Sequence, residues 1–396
     1  MISVSQPKSA PTQLKSAPMQ PRRATVNFLR KSNGCAIKYP KNRQSRSQHH
    51  NHHEGGTELA EHKVAYVGRG APDTTLIEEG LQGLDYEIEI SVVETQGEII
   101  EACKGADVIL NGGVEMPREV IEEIDTAQAI IVGSHGFNQI DHNAATDQGL
   151  MVINCAGFCT EEVSNHAIVM LMACAKKLTI LHNLVREGKW GAETRDAIMP
   201  MAPIDGQTLG LVAFGNIARA VARKAQALGM DVITYDPYCP PWVTKEYRVR
   251  PVATLEELAA DSDFVSMHTP LNDETRKLVG ADFFKLMKPT AYFINTCRGP
   301  TVDEAAMIDA LNNGEIAGAG LDVFEEEPTP ADNPLLKMDN VIVTPHSAGS
   351  SNNSRVRSPM RVGQETARVL TGNFPMSLVN PEVRSNLPIR EPAVNV

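Results

Sequence analysis

The most constraining feature of this 396-residue chain is an apolar segment that reaches a glycine turn and continues as an alanine-rich helical pattern. The segment begins at Thr208, reads TLGLVAFGNIARAVA, and turns at Gly215. A second apolar run begins at Val232 and ends at Asp236, 21 residues after Gly215. A strand, a turn, a helix, a second strand and a terminal acid in this register predict a βαβ unit that binds a dinucleotide.

The glycine turn predicts the place of a pyrophosphate, because the free N–H groups and the dipole at a helix N-terminus both attract anions. Gly215 is the middle position, where a side chain would collide with the phosphates, and Ala213 and Ala218 stand at the first and third positions. Asp236 is expected to accept hydrogen bonds from the ribose hydroxyls and to repel a 2′-phosphate, which favours NAD over NADP. The alternatives are a βαβ core without a ligand and an Asp that only starts a turn before Pro237.

Short apolar runs alternate with helical patterns along most of the chain, which predicts an α/β fold with parallel sheets. We predict strands in two series, at residues 63–67, 86–93, 107–110, 129–132 and 151–153, and then at 209–213, 231–235, 264–267, 291–294, 317–321 and 341–344. One long helix is predicted over residues 160–187, where Gly188 ends it. A further helical pattern runs from about residue 354 to residue 370.

The formal net charge of −12 is unevenly distributed. Residues 1–53 hold ten Lys or Arg and no Asp or Glu, which leaves 27 basic and 49 acidic residues in the remainder. An acidic body is unfavourable for nucleic acid binding. The chain has no apolar run near 18 residues, so we expect no membrane span.

We interpret residues 1–62 as a disordered basic leader, because they are polar and rich in Ser, Pro, Gln and Lys. An organellar transit peptide and a start site placed too far upstream are the alternatives. The seven cysteines are odd in number and scattered, which indicates reduced thiols. Cys155 and Cys159 lack a second Cys or His pair, so no metal is expected. Because the thiols are expected to be reduced, we predict that the protein is located in the cytoplasm. An organelle is the alternative if the leader is a transit peptide.

Three polar segments, at residues 294–304, 320–328 and 344–349, each follow a predicted strand. Because open α/β sheets bind ligands at the carboxyl ends of their strands, we expect Arg298, Glu327 and His346 at one sheet edge. A guanidinium group matches a planar carboxylate with two parallel hydrogen bonds, and an imidazole exchanges protons near neutral pH. A carboxylate on the other ring nitrogen fixes the tautomer, so the three side chains form a set suited to hydride-transfer chemistry.

Four segments carry a closer resemblance: GFNQIDHNAAT from Gly136, NTCRGPTVDE from Asn295, LDVFEEEP from Leu321 and TPH from Thr344. With these segments the chain, over about residues 63–385, resembles the D-isomer-specific 2-hydroxyacid dehydrogenase family. The resemblance implies an oxidoreductase that transfers a hydride between NAD(H) and C2 of a small D-2-hydroxy or 2-oxo acid. It also implies that Arg298 grips the carboxylate, His346 is the acid/base and Glu327 orients it.

The resemblance further implies two Rossmann-like or flavodoxin-like domains and a homodimer. The NAD-binding domain, residues 156–340, would be inserted into a discontinuous substrate domain, residues 63–155 and 341–390. Beside Gly215 and Asp236, the implied cofactor contacts are Asn216, Ile217, Thr269, Pro270, Thr296, Cys297, Arg298, Asp322, His346 and Gly349. The implied substrate contacts are Gly112, Gly113, Arg298 and His346.

Two points stay open at this stage. The loop at residues 111–114 lacks the arginine of phosphoglycerate-specific members, so a phosphorylated substrate is not expected unless Arg355, Arg357 or Arg361 faces the cleft. Some relatives of the family act as transcriptional corepressors, so an NAD-sensing interaction protein on the same fold is the alternative to an enzyme.

Overall fold

The computed structural model describes residues 60–201 and 203–383. All but the last three residues of the predicted basic leader therefore lie outside the described residues. Two parallel sheets organise the described chain, and most of their strands are short apolar runs that helices bury on both faces, the exceptions being the edge strands Tyr86–Val92 and Arg250–Pro251. This arrangement confirms the predicted α/β class.

The first sheet has five parallel strands in the order β2-β1-β3-β4-β5, which is the flavodoxin-like order. Its strands are β1 (His62–Gly68), β2 (Tyr86–Val92), β3 (Val108–Gly112), β4 (Ala129–Val132) and β5 (Met151–Ile153). The helices between them are α1 (Thr75–Gly80), α2 (Gln96–Cys103), α3 (Arg118–Ile121) and α4 (His142–Asp147).

The second sheet has seven parallel strands in the order β12-β11-β10-β9-β6-β7-β8. They are β6 (Thr208–Val212), β7 (Asp231–Tyr235), β8 (Arg250–Pro251), β9 (Phe264–Met267), β10 (Tyr292–Asn295), β11 (Gly318–Leu321) and β12 (Val341–Val343). The strand order reverses between β6 and β9, and a doubly wound sheet of this kind binds ligands in the crevice at that reversal.

Eight helices belong to this second series in chain order, and one long helix follows it. They are α5 (Thr160–Ala175), α6 (Leu178–Arg186), α7 (Ala192–Ile198), α8 (Asn216–Ala227), α9 (Pro241–Glu246), α10 (Leu255–Asp261), α11 (Ala281–Leu286), α12 (Glu304–Asn313) and α13 (Asn352–Leu370). Asp303 caps α12 by accepting from the Ala306 N–H, and Gly314 ends it in a left-handed conformation, as the residue types favour.

The single helix predicted over residues 160–187 is wrong, because α5 and α6 are separate helices that meet at an angle of 61°. The break is at Lys177, which adopts a left-handed conformation with φ of 48°. Helix α5 packs against α8 and the second sheet, whereas α6 has no buried residue. Of the two helices, only α5 therefore contributes side chains to the hydrophobic core. Within the described ranges no single helix is long and apolar enough to cross a membrane, although this bent pair passes that test by length and composition.

The chain returns to the first sheet through its C-terminal segment. Helix α13 packs on α1, where a Cβ on Gly363 would lie 2.1 Å from the Ile77 carbonyl oxygen. Beyond it, Val379 donates its N–H to Val152 of β5, and Asn380 accepts from the Val152 N–H. The predicted domain boundary before residue 341 differs from the sheets at one point, since β12 pairs with β11 and belongs to the second sheet.

Candidate active site

A cavity of about 620 Å³ lies at the carboxyl ends of the strands of the second sheet, with loops of the first sheet and α13 on its other side. Most of the residues predicted to contact a cofactor or substrate line it. These are Gly215, Ile217, Asp236, Thr269, Pro270, Thr296, Cys297, Arg298, Asp322, His346 and Gly349. Residues from six different loops at the carboxyl ends of strands therefore line the cavity. This agrees with the rule that open α/β sheets bind ligands at the carboxyl ends of their strands, here called the strand-end rule.

The glycine turn has an open concave surface. Gly215 is the N-cap of α8, and a Cβ built on it would meet no atom within 4 Å, so a side chain would project into open space at the cavity wall. Ala213, at the position of the first motif glycine, has φ of 73°, a conformation that L residues adopt at a cost of about 1 kcal/mol. The turn is thus built for close approach of a ligand to backbone N–H groups at a helix N-terminus.

Asp236 fixes this turn from the end of β7. Its two carboxylate oxygens accept hydrogen bonds from the N–H groups of Phe214 (2.8 Å) and Tyr238 (2.9 Å). A carboxylate offers about four acceptor positions, so each oxygen retains one for a hydroxyl donor in the cavity. The residue therefore holds the glycine turn and faces the cavity with a negative charge.

Arg298 follows β10 and is oriented by both halves of the molecule. Its Nε donates to the Asn138 side chain at 3.1 Å, and its Nη1 donates to the Cys297 carbonyl at 2.6 Å. The guanidinium also lies directly over Gly136, where an added Cβ would be 1.5 Å from Nη2. Gly136 is therefore required at this point so that Arg298 can occupy its position.

His346 and Glu327 form a close pair. The Nδ1 of His346 lies 2.7 Å from Oε2 of Glu327, while Oε1 of Glu327 accepts from the Phe324 N–H at 3.0 Å. Burial raises the pKa of the Glu327 carboxyl, but the bonds from His346 and Phe324 and the charge of Arg298 outweigh it, so that pKa is lowered overall. Glu327 is thus an anion that orients the imidazole and leaves Nε2 to face the cavity.

Asp322 organises the loop that carries His346. Its carboxylate is fully buried and accepts hydrogen bonds from Ser347 N–H, Ala348 N–H and the Thr344 hydroxyl. Its carbonyl oxygen accepts the His346 N–H at 2.7 Å, and His346 adopts a left-handed conformation with φ of 48°. Asp322 therefore shapes this loop, and its predicted contact with a cofactor stays a prediction.

Two further features connect the strand-end loops. A Cβ on Gly299 would lie 1.7 Å from the Phe324 carbonyl oxygen, so the turn after Arg298 packs directly on the backbone beside Glu327. Thr296 lines the cavity with a buried hydroxyl that has no hydrogen-bond partner within the described residues. Burial raises the pKa of the neighbouring Cys297 thiol, which donates to Asn295 at 3.1 Å. An unpaired buried hydroxyl in the same cavity as the open glycine turn fits a polar ligand such as a dinucleotide.

Three of the residues predicted to contact the cofactor or the substrate lie outside the lining of this cavity, as does the orienting Glu327. Gly112 is covered by the ring of Tyr66, whose Oη would be 2.1 Å from an added Cβ, and Gly113 adopts a left-handed conformation with φ of 90°. Asn216 is the first residue of α8 and also does not line the cavity. The Tyr66 ring of β1 thus occupies the space beside Gly112, whereas the space beside Gly113 is open, and the predicted substrate contacts of both residues stay predictions.

The loops after β4 and β5 and the start of α13 contribute several residues that were not among the predicted site residues. His135, Gly136, Asn138, Asn154 and Arg355 all line the cavity. Burial, with a smaller effect of the Arg298 charge, lowers the pKa of His135. The strand-end rule, applied to the first sheet as well as the second, would have indicated residues 134–138. Across the described ranges no group of three His, Cys, Asp or Glu side chains is arranged to hold a metal ion.

Comparisons with known proteins agree with this geometry. A model of the "D-isomer specific 2-hydroxyacid dehydrogenase, NAD binding domain" family matches residues 168–348. The chain is 38% identical over 312 residues to the glyoxylate reductase of Korarchaeum cryptofilum, which covers 77% of this chain and 94% of that protein. It is 35% identical over 295 residues to a D-3-phosphoglycerate dehydrogenase of Methanocaldococcus jannaschii, covering 74% of this chain and 55% of that protein.

A solved structure of the same family is also similar to this chain. The NAD-complexed D-isomer specific 2-hydroxyacid dehydrogenase of Lactobacillus delbrueckii ssp. bulgaricus aligns with a TM-score of 0.63 at 26% identity, over 80% of this chain and 100% of that chain. The cofactor class predicted from the βαβ unit is confirmed as NAD, and the prediction of an enzyme is confirmed as well. The chain belongs to the D-isomer specific 2-hydroxyacid dehydrogenase family, an NAD-dependent group of oxidoreductases that act on 2-hydroxy and 2-oxo acids.

Proposed function

We propose that this enzyme interconverts a small 2-oxo acid and its D-2-hydroxy acid, with Arg298 binding the substrate carboxylate and C2 oxygen. The guanidinium is placed by Asn138, Cys297 and Gly136, so its fork is oriented before a substrate enters. A planar fork makes two charge-assisted hydrogen bonds to a carboxylate, which a lysine cannot do. This contact holds C2 in a fixed position in the cavity.

We propose that His346 is the acid/base of the reaction and that Glu327 orients it. The main support for this proposal is the distance of 2.7 Å between Nδ1 of His346 and Oε2 of Glu327. His346 also lines the same cavity as Arg298. In reduction, Nε2 of His346 donates a proton to the C2 oxygen, and in oxidation it accepts that proton. The Glu327 carboxylate stabilises the imidazolium, which is the proton donor in reduction and the product of proton transfer in oxidation.

The open glycine turn at Gly215, Asp236 and the unpaired hydroxyl of Thr296 are the features that would hold NAD(H). The cofactor, when bound, exchanges a hydride with C2 of the substrate. We propose a preference for NAD over NADP because the Asp236 charge would repel a 2′-phosphate. We also propose that the second sheet, with its helices, is the cofactor domain, while the first sheet and α13 form the substrate domain.

The assembly and the location of the enzyme are proposals as well. We propose a homodimer that uses the surface around α5 and α6, where Val169, Leu178 and Trp190 are exposed apolar side chains. We propose the cytoplasm, with an organelle as the alternative, because the six cysteines of the described chain are free thiols. Size-exclusion chromatography with light scattering tests the first proposal, and imaging of a C-terminal fluorescent fusion of the full chain tests the second.

The function is tested by measuring NADH and NADPH consumption with a panel of 2-oxo acids. We expect turnover with NADH, and we expect His346→Ala to lower kcat by about 10² or more while NADH affinity changes little. His62→Ala is the matched control, because His62 lies at the amino end of β1, the edge opposite to the strand-end loops. Wild-type activity in His346→Ala, or a wild-type enzyme that binds NADH and reduces no acid, would contradict the proposal.

A further inference from the structure

The first turns of α13 bring an arginine to the cavity. Helix α13 carries Arg355, Arg357 and Arg361 within its first half, and Arg355 lines the cavity together with Ser354 and Ser358. Arginine side chains on a helix surface are most often solvated or paired with neighbouring acids. The partners of the three guanidinium groups therefore decide whether any of them is available to a ligand.

Two of these arginines are engaged. Arg357 donates to the Phe158 carbonyl at 3.2 Å and lies 3.4 Å from a carboxylate oxygen of Glu162. Arg361 lies 3.7 Å from the buried carboxylate of Glu365. The guanidinium of Arg355, in contrast, has neither a hydrogen bond nor an ion pair with any described residue, and this side chain is exposed.

The charges around the cavity leave Arg355 uncompensated. Among the described residues, the acids that line the cavity are Asp236 and Asp322, and both already accept backbone N–H groups of the second sheet's loops. No lining acid comes from α13 or from the first sheet. A cleft with a free cation and no nearby lining carboxylate attracts an anionic ligand.

Hydrogen bonds locate Arg355 at the Arg298 end of the cavity. Ser358, one turn after Arg355 on α13, donates its hydroxyl to the Gly133 carbonyl. Gly133 directly precedes the loop that holds Gly136 and Asn138, which contact the Arg298 guanidinium. The start of α13 is thus fixed beside the loop that supports Arg298, while Asp236 is bound to the glycine turn.

We propose that Arg355 binds an anionic group on the substrate beyond C2, so that the preferred substrates are 2-oxo acids with a second carboxylate or a phosphate. This inference rests on the proposed function, in which Arg298 takes the first carboxylate. The absence of an arginine from residues 111–114 does not oppose it, since Gly112 and Gly113 do not line the cavity. A guanidinium serves both kinds of anion, because carboxylate and phosphate oxygens each accept its paired donors.

The test compares four substrates with wild-type enzyme and three variants. Glyoxylate has no C3 group, hydroxypyruvate has an uncharged one, and oxaloacetate and 3-phosphohydroxypyruvate carry a second anion. Arg355→Gln removes the charge, Arg355→Lys retains it, and Arg357→Gln is the matched control on the same helix because Arg357 does not line the cavity. NADH affinity, measured by fluorescence titration, and the unfolding temperature are recorded for each protein.

We expect wild-type kcat/KM to be higher for at least one dianionic substrate than for hydroxypyruvate. Arg355→Gln should lower that value about tenfold or more and leave glyoxylate within about twofold, with NADH affinity unchanged. Arg355→Lys should recover part of the loss, and Arg357→Gln should leave the ratio between dianion and glyoxylate unchanged. The dianion that responds identifies the second group as carboxylate or phosphate.

Different failures have different meanings. Glyoxylate reduction without preference for either dianion overturns the assignment of Arg355 and leaves the proposed function intact. An equal loss with glyoxylate and the dianions in Arg355→Gln also overturns it, since the residue would then act on the shared carboxylate or on the cofactor. Failure of the wild-type enzyme to reduce any of the four acids, with NADH bound, overturns the proposed function and the assignment of Arg355 with it.

Discussion

Gly136→Ala tests whether the position of Arg298 determines activity. An added Cβ would lie 1.5 Å from Nη2, 2.5 Å from Cζ and 2.9 Å from Nε of Arg298. Ordinary contact requires about 3.5 Å, so the guanidinium must move by about 2 Å. Because a displacement of ~1 Å of a catalytic group costs on the order of 10²-fold, we expect kcat/KM to fall at least ~10²-fold, or about 3 kcal/mol of transition-state stabilisation.

The same substitution should cost little stability. The backbone of Gly136 does not have the positive φ that excludes alanine, and the clashing atoms are the far end of a flexible side chain. We therefore expect the free energy of unfolding to change by less than ~1 kcal/mol. Loss of NADH absorbance with a 2-oxo acid measures the activity, and urea titration measures the stability.

Gly97→Ala is the matched control for this experiment. Gly97 lies in α2, and a Cβ there would meet no atom within 4 Å, so alanine should be neutral or slightly stabilising. Activity of Gly136→Ala within about threefold of the wild type would refute the reasoning. A decrease of about 3 kcal/mol in the free energy of unfolding, as large as the expected loss of transition-state stabilisation, would refute it too. The loss of activity would then result from unfolding of the protein.

Three further substitutions follow from the site. Glu327→Gln should lower kcat about 10²-fold with little change in KM, measured by steady-state kinetics, because Glu327 acts on His346 and does not line the cavity. Asp236→Ala should raise the ratio of NADPH to NADH efficiency at least ~10-fold in the same assay, and an unchanged ratio would contradict the assigned selectivity. Burial lowers the pKa of His268 to about 4, so the unfolded state binds more protons below pH ~6.5 and stability falls as pH drops toward 4, by up to about 3 kcal/mol from this group. Urea titrations across this pH range should show a weaker dependence in His268→Asn, and an identical dependence would exclude this origin.

Much of the fold could be predicted because its signals are local. Strands such as Ala129–Val132, Asp231–Tyr235 and Phe264–Met267 have the predicted bounds, since each is an apolar run between helical patterns. The break at Lys177 could not be predicted, because the apolar period continues past it and no Gly or Pro marks the turn. A left-handed lysine is determined by how α5 packs and not by its own residue type.

The candidate site also has residues that could be predicted from the sequence and contacts that could not. Arg298, Glu327 and His346 could be selected because each follows a predicted strand in a polar segment. The support of Arg298 by Asn138 joins residues 160 positions apart, and nothing local connects them. Gly112 also follows a strand, but the ring of Tyr66 from a neighbouring strand excludes it from the cavity, which only the packed structure can reveal.

The origin of the catalytic groups has a consequence for motion. Arg298, Glu327 and His346 all stand on loops of the second sheet, and the turn at Gly299 packs on the backbone of Phe324. Asn138, in contrast, belongs to the first sheet. If the two sheets rotate about the chain segments that link them, the three catalytic groups travel as one rigid unit and keep their mutual distances. The Arg298–Asn138 hydrogen bond would lengthen instead, so its length would report how far the cavity between the two sheets has opened.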